Sequence, residues 1–345
     1  MSIDRATRTQ ESTSESSETA PLLEVSDLRV RFSRRGRHVH AVNGLSYRLR
    51  PGRMLAIVGE SGSGKSVSVR SLMGLLPPTA QVSGSARFDG VELVGMPDKQ
   101  LRRYRGADIA MVFQDPARSL NPTMRVGNQI TEAIRAHSDV DRARARERAV
   151  ELLRLVRLAA PEQRFHEYPH QLSGGMRQRV MIAIALGAEP RLLIADEATT
   201  SLDVTTQAQI MELLLDLQER LNMAVILISH DLGLAASYAQ DVIVMYAGRA
   251  VERAATADLF EHVRMPYTRA LLGAIPVLER QAHTLLPVIP GQPPDLGALP
   301  QGCPFRPRCS EATERCSEEP PFAEHEPGHW WACWHPATDQ EEASA

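Results

Sequence analysis

Apolar residues follow two different rhythms along the chain. Met54-Leu55-Ala56-Ile57-Val58, Leu192-Leu193-Ile194-Ala195, 224–228 and 242–246 are short unbroken runs with no polar face. Such runs predict strands buried on both sides. Elsewhere Ala149, Leu152, Leu153 and Val156 recur at i, i+3, i+4 and i+7, and Ile210, Leu213, Leu214, Leu217 and Leu221 form a second stripe. That spacing predicts amphipathic helices, whose stripes are core. Segments 23–32 and 45–49 alternate well enough for two more strands, with Gly44 and Pro51-Gly52 as punctuation. Arg34-Arg35-Gly36-Arg37 reads as a solvated hairpin loop between them. Strands alternating with helices predict an α/β fold, a parallel sheet covered on both faces. The stretch from about 115 to 170 is helical throughout and reads as a block inserted into that fold.

The ends have a different character. Residues 1–20 are rich in Ser, Thr and Glu and predict a disordered tail. From about 276 the chain turns Pro- and Gly-rich (Pro287, Pro290, Gly291, Pro293, Pro294, Pro300) and predicts an extended connection into a small extension over 276–340. The main domain is expected over 21–275.

Composition narrows the class. The chain has 345 residues, with 39 Lys plus Arg against 42 Asp plus Glu and a net charge of −3. A nucleic-acid binder usually carries a basic excess, which is missing here. No run approaches the roughly 20 apolar residues of a membrane span, and the N-terminus has no apolar signal core. A cytoplasmic protein is expected, acting on any membrane through partners. The four cysteines, Cys303, Cys309, Cys316 and Cys333, all lie in the extension. In a reducing compartment that clustering favours a metal or cluster over disulfides.

The candidate chemistry begins at Gly59-Glu60-Ser61-Gly62-Ser63-Gly64-Lys65-Ser66, which fits the phosphate-loop pattern G-x-x-x-x-G-K-[ST]. It follows a predicted strand and precedes a predicted helix over 67–76, the context the motif needs. Its glycines let the backbone approach phosphate, and the helix start adds partial positive charge. Lys65 can reach the β- and γ-phosphates and the Ser66 hydroxyl can bind Mg²⁺. Gln114 follows at the start of the helical block, placed to sense Mg²⁺ or attacking water. Leu172-Ser173-Gly174-Gly175-Met176-Arg177-Gln178-Arg179 makes a second anion-binding helix start, capped by Ser173. One nucleotide site does not need two cradles, so the second is expected to serve the nucleotide of another subunit. Asp196-Glu197 ends a buried strand, suited to Mg²⁺ through Asp196 and to general-base work by Glu197. Ser201-Leu202-Asp203 precedes the next helix, and His230 follows the strand 224–228. Singly these are commonplace: a junction glutamine, acids after a strand, a helix cap, a structural histidine.

Their order resembles that of the nucleotide-binding subunit of ATP-binding cassette (ABC) transporters, over roughly 22–275. Gly59–Ser66, Gln114, the 172–178 segment, Asp196-Glu197, Ser201-Leu202-Asp203 and His230 look like its Walker A, Q-loop, signature, Walker B, D-loop and H-loop. The resemblance implies a RecA-like parallel-sheet core of the P-loop NTPase class, an N-terminal antiparallel β subdomain and an inserted helical subdomain. It implies that Gly59, Ser61, Gly62, Ser63, Gly64, Lys65 and Ser66 bind ATP, with Phe32 stacking on adenine and His40 its nearby rival. Ser66, Gln114 and Asp196 would hold Mg²⁺, with Glu197, His230 and Gln114 catalytic. Ser173, Gly174, Gly175, Gln178 and Asp203 would contact the partner subunit's ATP in a head-to-tail dimer that closes on ATP and reopens after hydrolysis.

Three further stretches resemble the ATPases of oligopeptide, dipeptide and nickel importers, in the subunit with the longer cysteine-bearing tail. These are 113–130, 265–276 and Gly302-Cys303-Pro304-Phe305-Arg306-Pro307-Arg308-Cys309 with Cys316, His329 and Cys333 beyond it. Met265 and Arg118 depart from that pattern, and neither departure is expected to affect hydrolysis. The resemblance implies ATP-driven import, of di- or oligopeptides first, with nickel, opines or another small solute as the alternative. Implied partners are a second ATPase subunit (a paralogue or a second copy), two membrane permeases and, indirectly, an extracytoplasmic solute-binding protein. The chain would then sit on the cytoplasmic face of the membrane, with 118–130 as its docking surface. The cysteine spacing C-x5-C-x6-C-x16-C suits a [4Fe–4S] cluster or tetrahedral zinc, and the resemblance favours the cluster, with His329 and His335 unligated. A soluble ABC ATPase acting on nucleic acid or ribosomes is the reading of another class, and the absence of long insertions or a second cassette speaks against it.

Overall fold

The computed structural model describes residues 20–34, 36–200, 202–275 and 288–337. Residues 1–19 of the predicted N-terminal tail, Ser201 and the first part of the proline-rich connection, including Pro287, lie outside these residues. The strands in chain order are β1 (Leu23–Arg34), β2 (Arg37–Leu49), β3 (Met54–Val58), β4 (Ala80–Phe88), β5 (Val91–Glu92), β6 (Ile109–Val112), β7 (Leu192–Asp196), β8 (Ala224–Ser229), β9 (Asp241–Tyr246), β10 (Arg249–Ala255), β11 (Ala323–Glu326) and β12 (His329–Trp331). They form two sheets, ordered β2-β1-β4-β5 and β11-β12-β10-β9-β3-β8-β7-β6. The first sheet is antiparallel throughout. The second is parallel from β9 through β3, β8 and β7 to β6, and antiparallel from β9 outward to β10, β12 and β11.

The two-sided burial read from the sequence has a direct structural cause. Successive side chains of a strand face opposite ways. Met54, Ala56 and Val58 of β3 enter one core, which also holds the 210–217 stripe and the helical block. Leu55 and Ile57 enter a second core, shared with the antiparallel sheet and with Val69 and Leu72. The phosphate-loop strand is thus clamped between both cores.

The helix after the loop runs Lys65–Leu72, shorter than the predicted 67–76 at its far end and longer at its near one. Gly64 caps it at φ 99°, and Gly74 takes φ 59°, a left-handed stop just beyond Met73. The helical block contains Val126–His137 and Arg142–Leu155, and the latter buries Ala149, Leu152 and Leu153 as its stripe requires.

The extension departs from the expected appended tail. Trp330 and Trp331 of β12 pair with Arg253 and Glu252 of β10, and β11 pairs outside β12. The cysteine-bearing segment thus continues the central sheet. Glu252, fully buried, fixes that junction: it accepts from the Arg264 and Met265 N–H groups at 2.7 and 3.2 Å and from His329 Nε2 at 3.0 Å.

Candidate nucleotide site

Register gathers the candidate residues at one edge. Val58 is level with Ser229, Ile228 with Asp196, and Ala195 with Val112. The C-terminal ends of four adjacent parallel strands therefore finish together. The phosphate loop leaves β3, His230 leaves β8, Glu197 leaves β7 and Gln114 stands two residues beyond β6. Ligand sites of open parallel sheets form at this carboxyl edge.

Within the loop, two glycines are fixed by their neighbours. A Cβ on Gly59 would lie 2.2 Å from the Met245 carbonyl oxygen, and one on Gly64 would lie 2.2 Å from that of Ala41. Lys65 Nζ donates to the carbonyls of Gly59 and Glu60 at 2.8 and 2.9 Å. Burial pushes its pKa down, against the opposing pull of Glu197, Asp196 and Glu60. Ser66 Oγ donates to Asp196 Oδ1 at 2.6 Å. Arg70, one turn along the same helix, donates to Asp196 Oδ2 through Nη2 at 2.7 Å and Nε at 3.1 Å. Sequence reading missed Arg70, whose only signal is its place one helical turn after Ser66.

Gln114 Nε2 donates to Glu197 Oε2 at 2.6 Å, across 83 residues. Glu197 is held at φ 50°, and its N–H donates to the Ile228 carbonyl at 3.1 Å. A left-handed non-glycine residue costs roughly 1–3 kcal/mol, so the surrounding contacts must hold it there. His230 is exposed at this edge, followed by Asp231, which caps the helix Leu232–Tyr238. Phe32 lies on β1 opposite Val39 and packs against the second core. Its hairpin abuts the loop through the Ala41 carbonyl, and the His40 carbonyl lies 3.0 Å from where a Gly248 Cβ would be.

The second cradle is a separate surface. Ser173 caps the helix Gly174–Ala185, its Oγ accepting from the Met176 N–H at 3.3 Å. Gly175 packs against Thr206, whose methyl would lie 2.5 Å from an added Cβ. Asp203 caps the next helix through the Thr206 N–H at 2.9 Å. Ser173, Gly174, Gly175 and Asp203 thus share one region, with Ser173, Gly174 and Asp203 exposed. Gln178 stands apart from this exposed set. Its side chain is 1% exposed with both amide atoms unpaired. One turn beyond Gly174, it lies on the inner face of the helix.

The four cysteines line one small cavity together with Phe305, Arg306 and Trp334. Burial pushes the Cys303 and Cys309 thiols up and carries Cys333 to about 11, with the other three thiols adding to it. Among the described residues, however, no three His, Cys, Asp or Glu side chains are gathered as an ion-holding set. His329 is engaged with Glu252, and His335 Nε2 is 2.7 Å from Thr313 Oγ1.

Residues 42–200 match the ABC transporter family, and 251–316 match the oligopeptide/dipeptide transporter C-terminal region. The oligopeptide transport ATP-binding protein OppD of Escherichia coli is 49% identical over 318 residues, 92% of this chain and 94% of that one. The chain belongs to the ABC transporter ATP-binding family. The OppD protein of Bacillus subtilis is 48% identical over 316 residues, 91% of this chain and 88% of that one. Among solved structures, the dimeric post-hydrolysis ATP-binding cassette MJ0796, bound to ADP and Pi, aligns with TM-score 0.61 at 27% identity. That alignment covers 68% of this chain and 98% of MJ0796. As a member of this family the chain is an ATPase, an ABC cassette that hydrolyses ATP. No helix among the described residues is long and apolar enough to cross a membrane.

Proposed function

We propose that this ATPase powers import of di- or oligopeptides. The observation that carries the catalytic half is the convergence of the phosphate loop, Asp196, the Gln114–Glu197 pair and His230 at one sheet edge. The cargo half is supported by the match of 251–316 to the oligopeptide/dipeptide transporter C-terminal region and by relatives that bear the OppD name.

The proposed division of labour follows from position. Gly59 to Ser66 cradle the phosphates, Lys65 leaving the Gly59 and Glu60 carbonyls for the β- and γ-phosphates, and Phe32 stacks on adenine. Glu197 accepts a proton from the attacking water. Gln114, bonded to Glu197, reports the water's presence to the helical block. His230 holds the γ-phosphate side of the arrangement in line. Asp196 and Ser66 are hard oxygen donors 2.6 Å apart, which fits Mg²⁺, with Gln114 as a third donor. The ion supplies neutralisation of phosphate charge. Ser173, Gly174, Gly175 and Asp203 complete a second ATPase subunit's site. Two permeases dock on 118–130, where Arg118 is 90% exposed, beside the exposed Phe113. The chain is held by them at the cytoplasmic membrane face, with a solute-binding protein outside.

The cysteines hold a [4Fe–4S] cluster in this reading. All four thiols line one cavity, and four thiolates suit such a cluster, with tetrahedral zinc as the alternative. The cluster clips the extension together.

The test is uptake of a labelled short peptide by the native host, with the parent chain or with Glu197→Gln in its place. Loss of uptake is expected. Unchanged uptake overturns the peptide assignment and directs the same measurement to nickel and other small solutes.

A further inference from the structure

The cysteine extension reaches back to the phosphate loop through one side chain. Arg308 adjoins Cys309 at the end of the short turn Arg306–Arg308, and its side chain is only 5% exposed. Its Nη1 and Nη2 donate to the two carboxylate oxygens of Glu60 at 2.6 and 2.9 Å. Its Nε donates to the Pro290 carbonyl at 2.8 Å, and Nη1 also lies 3.4 Å from Tyr246 Oη. A forked guanidinium–carboxylate pair fixes orientation as well as distance. The guanidinium charge is stabilised there chiefly by Glu60.

Glu60 is part of the phosphate loop itself. Its carbonyl accepts from Lys65 Nζ at 2.9 Å, and its N–H donates to Tyr267 Oη at 2.9 Å. One residue therefore joins Arg308 through its side chain and the phosphate-binding lysine through its backbone. Tyr246, Tyr267 and Phe305 pack against one another behind it, with ring centroids 4.6 to 5.3 Å apart. This leaves little room for Glu60 to shift unless the extension shifts with it.

We infer that Arg308 is a positioning residue for the nucleotide site: by holding Glu60 it sets the loop backbone that Lys65 leaves when phosphate arrives, so the arrangement of the cysteine loop tunes the affinity for MgATP. The inference rests on the nucleotide-site reading above. Coupling of this kind is reciprocal. MgATP binding changes the environment of Cys309 by the same route that the extension changes MgATP affinity.

The experiment uses the full chain and a fluorescent N-methylanthraniloyl ATP with Mg²⁺, reading dissociation constant and thermal midpoint together. Arg308→Met and Glu60→Gln are each expected to weaken binding by about tenfold, the scale of a buried coupled pair. The double variant is expected to be no weaker than either single one. Arg308→Lys, which keeps the charge and the fold but not the fork, should fall between parent and Arg308→Met. In hydrolysis, KM should rise by the same factor while kcat changes less. Affinity within twofold of the parent in Arg308→Lys and Arg308→Met, with only the thermal midpoint lowered, makes the pair structural and overturns the inference. Additive losses in the double variant also overturn it. Lys65→Ala is the control: if the parent binds the probe no better than Lys65→Ala, the nucleotide-site reading itself falls, and the inference with it.

Discussion

Gly62 and Gly64 belong to the same loop, yet they should respond differently to the same added methyl. Both have left-handed backbones, at φ 80° and 99°. An alanine there carries a strain of about 1–2 kcal/mol in either case, partly offset by a stiffer unfolded chain. Those contributions nearly cancel in the difference. What remains is space. A Cβ on Gly62 meets nothing within 4 Å, whereas one on Gly64 meets the Ala41 carbonyl oxygen at 2.2 Å. That oxygen is backbone in β2 and cannot rotate away, so relieving the overlap moves the strand or the helix start, at about 1–3 kcal/mol. Gly64→Ala should therefore be less stable than Gly62→Ala by about 1–3 kcal/mol. Urea unfolding of the nucleotide-free chain measures it. Far-UV circular dichroism is the suitable probe, because Trp330, Trp331 and Trp334 are the chain's three tryptophans and all lie in the extension. Equal losses, within about 0.5 kcal/mol, would refute the claim that the first antiparallel sheet presses on the loop.

Other outcomes follow from the same geometry. Glu197→Gln should keep MgATP affinity and lose hydrolysis by about 10²- to 10⁴-fold, read from phosphate release; hydrolysis at the parental rate removes Glu197 as the base. Glu252→Ala leaves His329 and the Arg264 and Met265 N–H groups without their acceptor, and should lower stability by at least about 3 kcal/mol in thermal or urea unfolding. Cys333→Ser, purified without oxygen, should lose most bound iron relative to the parent by elemental analysis, and undiminished iron would remove Cys333 from the ligand set.

The legible and illegible parts of this chain divide along physical lines. Met54–Val58 was read to the residue because both cores demand apolar side chains on a short strand. The phosphate loop and the Asp196-Glu197 pair were legible because local backbone chemistry dictates their spelling. β10 was not, since Arg249-Ala250-Val251-Glu252-Arg253 does not look like a buried edge; its acid is satisfied by His329, 77 residues away. Arg308 stood in a recognised stretch, but its partner Glu60 lies 248 positions earlier, beyond any local pattern. The burial of Gln178 was illegible for another reason. A motif gives positions along a helix, and packing decides which of them turn inward.

The pairing of β12 onto β10 also bears on how this chain behaves in a test tube. An open strand edge is a row of unpaired N–H and C=O groups, ready to join the edge of another molecule. Here the outermost strand is Ala-Glu-His-Glu, only four residues long and largely charged, a poor template for such joining. Cutting the chain after 275 would replace it with seven-residue β10, carrying Ala250, Val251 and Ala254. The trimmed cassette should tend to precipitate as it is concentrated, even with every phosphate-loop residue in place. On this reasoning the extension also acts as a cover for a strand edge.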